Sequence, residues 1–404
     1  MTTTINNKHK KLNVPNLRFP EFQGEWEKCI LGDITENFNL RNKDKIQYPM
    51  FSVTNDRGFV PQSEQFEGRD MVGEDIKAYK IIHTNDFAYN PARINVGSIA
   101  MYTGERPCMI SSLYVCFKTT KEVNNEWLMQ LLKTPKMNYY YNVNGEGGVR
   151  VYLFYPNFAR IRMSIPKIEE QKKIAKLLNL IDERIATQNK IIDKLQSLIK
   201  GLNDTLYAQH GDEVMTSFAE LGTSYSGLSG KSAQDFGSGK PFITYLNVYS
   251  NNIIKENDFQ YVAIKDDEKQ NVVKYGDVLF TLSSETPEEV GVGSVYLGKE
   301  KVYLNSFCFG IHITNTEVAF SPYLSYYVSS TAFRKFIYPY AQGSTRFNLC
   351  KADFEKASIK LPTLADQKRI YLILGHIDCK IETERQMLNL YNSQKQYLLR
   401  QMFI

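Results

Sequence analysis

The sequence predicts an α+β protein of two similar β-rich domains, each followed by a long helix, with the helices paired as an antiparallel coiled coil. Residues 166–187 align without a gap with residues 362–383, and nine of the twenty-two positions are identical. Short apolar runs separated by turn residues precede both segments, and heptad spacing continues beyond both. The chain is therefore a tandem duplication with an expected pseudo-twofold organisation.

The length and composition favour a globular protein with two domains. At 404 residues the chain exceeds what one hydrophobic core usually supports. Hydrophobic residues make up 43% and charged residues 23%, and no apolar run approaches the roughly 20 residues that a membrane span needs. We therefore expect no membrane segment and no signal peptide. The six cysteines form no C-x-x-C pair, which favours a reduced, cytoplasmic compartment without a zinc site or disulfides.

The charge balance does not identify a partner. A formal net charge of +5 and a pI near 8.6 are mild, below the value of about 9 that marks an evident nucleic-acid-binding domain. A neutral soluble protein and a DNA-binding protein both remain open on this ground.

Changes in the residue pattern predict the domain boundaries. Residues 1–15 are polar without periodicity and are expected to be a disordered tail. The first β-rich domain is predicted over 16–165 and the first long helix over 166–210. The same order then repeats, with a domain over 211–361 and a helix over 362–404. The predicted motif matches are Leu31-Gly32 with Leu221-Gly222, Pro49 and Asn55 with Pro241 and Asn247, and Val96-Gly97-Ser98 with Val292-Gly293-Ser294.

The two long helices carry the clearest periodic signal. Apolar residues recur at alternating intervals of four and three, which is the seam of a coiled coil. A polar residue, Gln188 or Glu384, stands at the same step of each seam. It either fixes the register of the helix pair or leaves the seam partly hydrated. The residues predicted to pair the helices are Ile174, Leu178, Ile181, Ile185, Gln188, Ile370, Leu374, Ile377, Ile381 and Glu384.

The length of the first helix predicts a role in spacing. From Ile168 to Leu206 it has 39 residues, or about 58 Å at 1.5 Å per residue. In the second copy, Thr363-Leu-Ala-Asp366 after Pro362 fits a capping box and predicts a helix start near residue 364. A helix that long between two domains can act as a ruler, and the second helix can fold back on it.

The sequence lacks a complete set of catalytic residues. Tyr89-Asn90-Pro91-Ala92 departs from the Asn-Pro-Pro-Tyr signature of amino-methyltransferases at the second proline and the aromatic residue. The acidic cluster at 266–268 is the nearest candidate for a nuclease metal site, but it has no counterpart in the first half and is better explained as a solvated loop. The five histidines are scattered, and G-x-S-x-G is absent. We expect neither a catalytic nor a metal site.

Polar loops that contain glycine occur at matching places. Residues 145–150 and 342–346 each set one arginine beside exposed backbone donors, which suits a phosphate or a guanine edge. A turn whose arginine pairs with a nearby carboxylate is the open alternative. The second pair of loops is 90–93 and 283–289. Loops that diverge on a duplicated frame are expected if each copy recognises something different.

The order of these features resembles the specificity subunit of type I restriction-modification systems. A β-rich unit, Gly-x-x-Arg, a phenylalanine, the helix start Pro-x-x-x-x-Gln-x-x-Ile and a heptad helix occur twice. The segment 16–26 is also similar to the start of many members. Gly343-Ser-Thr-Arg346 follows the family pattern closely. In the first copy Gly148 and Val149 replace Ser-Thr, and Asn157 stands where the second copy has Asp353.

The resemblance implies a non-catalytic subunit that recognises DNA. Each β-rich domain would be a target recognition domain for one half of a split double-stranded DNA site, and the helix pair would set the distance between the halves. Two methylase subunits, which use S-adenosylmethionine, and two restriction subunits, which use ATP and Mg, would dock to the chain, which would hold no cofactor itself. The residues predicted to contact DNA are Arg150, Arg346, Ser344, Thr345, Arg93, Asn55 and Asn247.

Two other classes of function remain open. A stand-alone methylase or nuclease with fused recognition domains would modify or cut DNA without partners. A coiled-coil scaffold would not bind DNA and would lack the steep salt dependence that phosphate contacts produce.

Overall fold

The chain folds as two compact units, each with one β-rich domain and parts of both long helices. The first comprises Met1–Asn189 with Met387–Ile404, and the second Lys190–Gln386. The computed structural model describes residues 12–65, 76–147, 151–209 and 213–404. None of the helices in these ranges is both long and apolar enough to cross a membrane.

The first unit is built on a four-stranded antiparallel sheet in the order β2-β9-β6-β7. Phe87 pairs with Phe117 across β6 and β9, and their buried rings stack 4.9 Å apart. The described strands are β1 Glu27–Ile30, β2 Thr35–Phe38, β3 Phe51–Thr54, β4 Gly58–Pro61, β5 Lys80–Ile82, β6 Phe87–Tyr89, β7 Ile99–Met101, β8 Cys108–Ile110, β9 Val115–Thr119 and β10 Arg162–Ile165.

Short helices cover this sheet and close its core. Trp127 is fully buried, and its ring packs 5.9 Å from that of Phe403, near the carboxyl end of the chain. The described helices of this domain are α1 Leu31–Ile34, α2 Gln62–Gln65, α3 Asn125–Leu132, α4 Pro135–Asn144 and α5 Tyr155–Ala159.

The second unit repeats the plan, with the sheet order β12-β19-β15-β17. Its core is rich in phenylalanine. The ring centre of Phe354 lies 5.2 Å from the ring centres of both Phe218 and Phe280. The described strands are β11 Glu213–Thr216, β12 Gly222–Ser226, β13 Phe236–Ile243, β14 Gln260–Val262, β15 Val278–Thr281, β16 Ser283–Ser284, β17 Gly293–Val295, β18 Tyr303–Leu304, β19 Cys308–Ile313, β20 Ala341–Gln342, β21 Phe347–Leu349 and β22 Ile359–Pro362. The first long helix, whose residues belong partly to each unit, is α6 Ile168–Gln209. The later helices are α7 Phe218–Leu221, α8 Tyr245–Ser250, α9 Ser321–Tyr327, α10 Thr331–Ile337, α11 Lys351–Lys356 and α12 Leu364–Gln401.

The helices α6 and α12 have 42 and 38 residues and run antiparallel. In the first unit the beginning of α6 shares a core with the end of α12, and Lys395 pairs with Asp182 at 2.5 Å. In the second unit the end of α6 packs against the core that holds Ile370 and Leu374. All ten residues predicted to pair the helices are buried or partly buried. The α+β architecture with two long helices is confirmed.

The start of α12 departs slightly from the predicted capping box. The helix begins at Leu364, and the Thr363 hydroxyl accepts a hydrogen bond from the Asp366 backbone N–H at 3.3 Å. The same hydroxyl donates to the Asp366 carboxylate at 2.7 Å. The carboxylate therefore orients the capping hydroxyl.

The duplicated glutamines explain why the two copies agree around the helix starts. In the first unit the buried Gln171 carboxamide donates to the carbonyls of Glu122 and Pro166 and accepts from the Asn124 N–H at 2.8 Å. The Gln367 carboxamide makes the same three hydrogen bonds in the second unit, to the carbonyls of Val318 and Pro362 and from the N–H of Phe320. Each glutamine ties its long helix to the loop ahead of a core helix.

One predicted match between the copies is wrong. Leu31-Gly32 was matched with Leu221-Gly222, an offset of 190 residues. In the structure α1 and α7 are equivalent four-residue helices, preceded by Ile30 and Ser217 at their N-caps. Leu31 therefore corresponds to Phe218, an offset of 187. A two-residue match is too short to define register, whereas strand pairing defines it.

The predicted disordered tail over residues 1–15 is only partly described. The Asn13 side chain donates to the Trp26 carbonyl at 2.6 Å and to the Ser164 hydroxyl at 3.0 Å. Pro15 is buried. The folded part of the chain therefore begins before residue 16, while the other domain boundaries stay predictions.

Candidate nucleic-acid interface

A hairpin of the second unit presents three of the predicted contact residues. Strands β20 and β21 pair and leave 343–346 as the connecting turn. Gly343 has a φ of +146°, and a Cβ there would lie 2.1 Å from the Arg346 carbonyl oxygen, so the turn requires glycine. Ser344, Thr345 and Arg346 are all exposed.

A small sheet joins this hairpin to the second predicted loop. Strand β21 also pairs with β16, where Ser284 lies opposite Phe347. The Leu349 N–H donates to the Leu282 carbonyl at 2.8 Å. The two loops that the sequence singled out in this half, 283–289 and 343–346, therefore lie at one edge of the fold.

Arg334, which the sequence did not identify, holds the end of the 283–289 loop. Its guanidinium donates to the carbonyls of Glu288, Val290 and Gly291 at 2.6–2.8 Å. Burial lowers the pKa of this guanidinium, which still stays charged because arginine ionises so far above neutrality. No local sequence signal marks Arg334, since its three partners are backbone atoms.

The same loop is braced from the other side by Glu289. Its carboxylate accepts hydrogen bonds from the Tyr249 hydroxyl at 2.7 Å and the Ser284 hydroxyl at 3.1 Å. These bonds, that of Tyr249 first, lower the pKa of Glu289. The carboxylate therefore ties its own loop to helix α8.

The first unit has the same joint between its two loops. The Leu153 N–H donates to the Pro91 carbonyl at 3.0 Å, as Leu349 does to Leu282 in the second unit. The backbones of Glu146 and Tyr152 exchange two hydrogen bonds of 2.8 Å and close the other loop at its base. Arg150, Gly148 and Val149 lie outside the described residues, so the predicted role of Arg150 stays a prediction.

The departure at Asn157 has a physical explanation. The Asn157 amide donates to the Glu146 carboxylate at 2.7 Å. An aspartate here, as at the equivalent Asp353, would place two carboxylates against each other. Asn157 therefore supports the base of the first loop.

The loop at 90–93 exposes one arginine. The Asn90 side-chain oxygen accepts from the Ala92 N–H at 3.0 Å, and the Asn90 carbonyl accepts from the Arg93 N–H at 3.0 Å. This turn leaves the Arg93 side chain exposed. Asn90, which resembled part of a methylase signature, thus has a structural role in the turn.

The turn between β3 and β4 lies beside this loop. Gly97 has a φ of +104°, and a Cβ there would be 2.9 Å from the Asn55 carbonyl oxygen. The Ser98 hydroxyl also donates to the Val53 carbonyl at 2.7 Å. Asn55 and its neighbour Arg57 are both exposed. Arg57 is a further cation of this face that the sequence reasoning missed, because the repeat has no arginine at the matching place.

Asn247 is the predicted contact whose surroundings contradict the expectation. It is 2% exposed, and its side chain donates to the Lys255 carbonyl at 2.8 Å and accepts from the Lys255 N–H at 3.1 Å. The match with Asn55 is correct in sequence but not in structure, because the chain forms a hairpin at Asn55 and the helix α8 at Asn247. Asn247 stabilises the fold and is not free to contact DNA.

Two of the three exposed arginines have no carboxylate partner among the described residues. Within the described residues the Arg93 and Arg346 guanidinium groups make no ion pair, and Arg346 lies 5.9 Å from the centre of the exposed Phe307 ring. Arg57 forms an exposed ion pair with the neighbouring Asp56, with 4.0 Å between the guanidinium nitrogen and the carboxylate oxygen. For Arg346 the alternative of a turn arginine paired with a nearby carboxylate is therefore not supported by the described residues.

The acidic cluster at 266–268 is part of a structural contact. Glu268 pairs with Lys231 at 2.5 Å and also accepts from the Lys265 N–H. These bonds, with one from Gln270, lower the pKa of Glu268. Glu268 therefore has a structural role, while Asp266 and Asp267 are exposed.

Comparison with known proteins identifies the family. The family model described as "Type I restriction modification DNA specificity domain" matches residues 23–197 and 224–390. A specificity subunit of Methanocaldococcus jannaschii, named for the type I restriction enzyme MjaX, is 25% identical over 93% of this chain and 92% of its own.

Two solved structures share the fold. One chain from a structure on complex assembly of a type I restriction-modification system superposes with a TM-score of 0.59 at 14% identity, over 94% of this chain and 97% of its own. The S subunit of such a system from M. genitalium superposes with a TM-score of 0.55 at 12% identity, over 97% and 99%. The chain belongs to the type I restriction modification DNA specificity domain family and carries two copies of that domain in tandem.

Proposed function

We propose that this chain is the DNA-recognition subunit of a type I restriction-modification complex and binds a bipartite site. The observation that carries the proposal is the occurrence of two family domains, each with the same joint between two loops and an exposed arginine on one of them. Because the loops differ between the copies, each domain would recognise a different half of the site.

The proposed contacts are the exposed polar residues of these loops. Arg346 with Ser344 and Thr345 would serve one half-site, and Arg93 with Asn55 and Arg57 the other. An arginine can donate two parallel hydrogen bonds to guanine in the major groove, where all four base pairs can be distinguished. Serine, threonine and asparagine would add phosphate or base contacts that fix the register.

We further propose that chemistry is left to partner subunits. Two methylase subunits with S-adenosylmethionine and two restriction subunits with ATP and Mg would dock to this chain, which would itself be neither a methylase nor a nuclease. The support is family membership and the structural roles of Asn90 and Glu268, the nearest approaches to enzyme motifs. The site of action would be the cytoplasm, where such a complex meets the chromosome.

The decisive experiment is a map of methylated adenines in host DNA with and without this gene. We expect one split motif to lose methylation on deletion and to regain it when the gene is returned. A deletion that leaves every motif methylated would contradict the proposal. A purified chain that methylates or cuts DNA without partners would instead establish the stand-alone enzyme.

A further inference from the structure

An equivalent turn in each unit presents a large apolar side chain to solvent. Leu113 is 76% exposed in the first unit, and Phe307 is 56% exposed at the equivalent place in the second. The Leu113 N–H donates to the Ser111 hydroxyl at 3.4 Å, and the Phe307 N–H donates to the Asn305 side-chain oxygen at 2.9 Å. The turn is therefore fixed by a side-chain acceptor two residues earlier in each copy.

The pairing of the central strands establishes this equivalence. Val278 lies opposite Ile311 in the second unit, and Phe87 lies opposite Phe117 in the first. Since β6 and β15 are equivalent strands, Phe117 corresponds to Ile311, an offset of 194 residues. Four residues before Phe117 and Ile311, in the turns that lead into β9 and β19, Leu113 therefore corresponds to Phe307.

Phe307 belongs to the candidate interface of the second unit. Its carbonyl accepts from the Leu282 N–H at 2.9 Å, next to the start of the 283–289 loop. Its ring lies 5.9 Å from the Arg346 guanidinium of the hairpin. The exposed ring, the exposed arginine and both predicted loops therefore meet at one edge.

Leu113 has the corresponding place in the first unit. Tyr89, the last residue of β6, pairs with Val115, the first residue of β9. The chain continues from Tyr89 into the loop that exposes Arg93 and enters β9 from the turn that exposes Leu113. Both side chains therefore emerge at the same end of the central sheet.

The chemistry of this arrangement suits base pairs. A single exposed apolar side chain is common on protein surfaces, but here two equivalent ones are held on fixed turns beside loops whose arginines, Arg93 and Arg346, are exposed. In the major groove, base pairs offer apolar surface in the thymine methyl group, next to the acceptors that arginine binds. The base faces are also open to an apolar side chain such as Phe or Leu where it wedges into a base step. An apolar residue and an arginine side by side thus match adjacent features of duplex DNA.

We propose that Leu113 and Phe307 are specificity-determining residues, each making apolar contact with base pairs of one half-site beside the neighbouring loop arginine. This inference rests on the proposed function and adds one apolar base contact in each domain to the polar contacts proposed above. A leucine in one copy and a phenylalanine in the other would contribute to the difference between the two half-sites.

The test compares F307A with M215A in the full chain assembled with its partner subunits. Met215 is the matched control, because it is 59% exposed in the same unit but lies on β11, away from the hairpin. Binding is measured on duplexes in which each base pair of the methylated motif is exchanged in turn. F307A should bind the intact site about tenfold more weakly and lose discrimination at one or two adjacent base pairs of one half-site.

Further variants separate base contact from loss of structure. F307L should recover part of the affinity, and L113A should relax discrimination in the other half-site only. Replacing thymine by uracil distinguishes a methyl contact, which the change removes, from contact with a base face, which it preserves. Either result supports the proposal, provided that the penalty at that position is reduced in F307A.

Different results would contradict this inference alone and the proposed function as a whole. If the wild type discriminates between sites but F307A keeps every base-pair penalty within twofold, as M215A should, this inference is wrong while the proposed function stands. Uniform weakening on specific and non-specific DNA would also overturn it. A wild-type complex that binds all duplexes equally would overturn the proposed function and this inference together.

Discussion

Gln171 and Gln367 show at the scale of single residues why some positions repeat and others do not. Each carboxamide satisfies one buried N–H and two carbonyl groups at the junction of a long helix and a loop. Leucine has a similar size but cannot make these bonds. The duplicated glutamine is therefore required by backbone atoms, which every copy of the fold contains.

We expect Gln367→Leu to destabilise the second unit by about 1–3 kcal/mol, because it leaves buried polar groups of the backbone unpaired. Urea denaturation of the full chain measures the loss. Gln396→Leu is the control, since Gln396 is exposed on α12 and should change stability by no more than about 0.5 kcal/mol. Equal denaturation of the two variants would show that the three hydrogen bonds contribute nothing net.

Gly343 is the residue on which the hairpin conformation depends. We expect Gly343→Ala to distort 343–346, because the added Cβ would collide with the Arg346 carbonyl oxygen at a φ that alanine rarely adopts. Affinity for one half-site should fall about tenfold or more, whereas recognition of the other half should stay unchanged. Binding to duplexes with either half-site scrambled measures the two effects separately.

At the scale of elements, α6 is long enough to belong to both units and contains a single glycine. Gly201 is exposed, and a Cβ there would meet no atom within 4 Å. Glycine disfavours a helix interior by about 1 kcal/mol relative to alanine. We therefore expect Gly201→Ala to raise the melting temperature by about 2–4 °C, as measured by circular dichroism at 222 nm. A lower melting temperature would indicate that the glycine has a packing role.

The ruler hypothesis belongs to the helix pair. Removing one heptad from both α6 and α12 shortens each by about 10 Å at 1.5 Å per residue, which corresponds to about three base pairs at 3.4 Å per step. We expect the preferred spacer of the methylated motif to change while the sequences of both half-sites are retained. Methylation mapping of a strain with the shortened gene tests this, and an unchanged spacer would rule out the ruler.

At the scale of the whole molecule, the chain consists of two copies of one domain, and the family match spans 23–197 and 224–390. A duplicated recognition subunit should be modular. We expect that exchanging residues 211–361 for the same domain of another family member would change one half of the methylated motif and leave the other half. A change in both halves would contradict independent recognition by the two domains.

Several features of this molecule could be predicted from sequence because they repeat or because they depend on residues close together in the chain. The Gln171 and Gln367 match, the heptad seams and the Thr363 helix start all depend on local spacing or on backbone geometry common to both copies. Asn55 and Asn247 show where this reasoning ends. Both are asparagines at matching offsets, yet one turns a hairpin and the other is buried in a helix, since the chains diverge after the strands that precede them.

The sequence by itself determined the duplication, the mixed fold and the two long helices, because helix periodicity and identity between copies are properties of the chain alone. Only the tertiary structure decided which exposed residues meet. Arg346 and Phe307 are separated by 39 positions in the chain, and Arg334 acts on backbone atoms more than 40 residues away. Strand pairing brings such residues together, and no local pattern records the partners that a sheet will align.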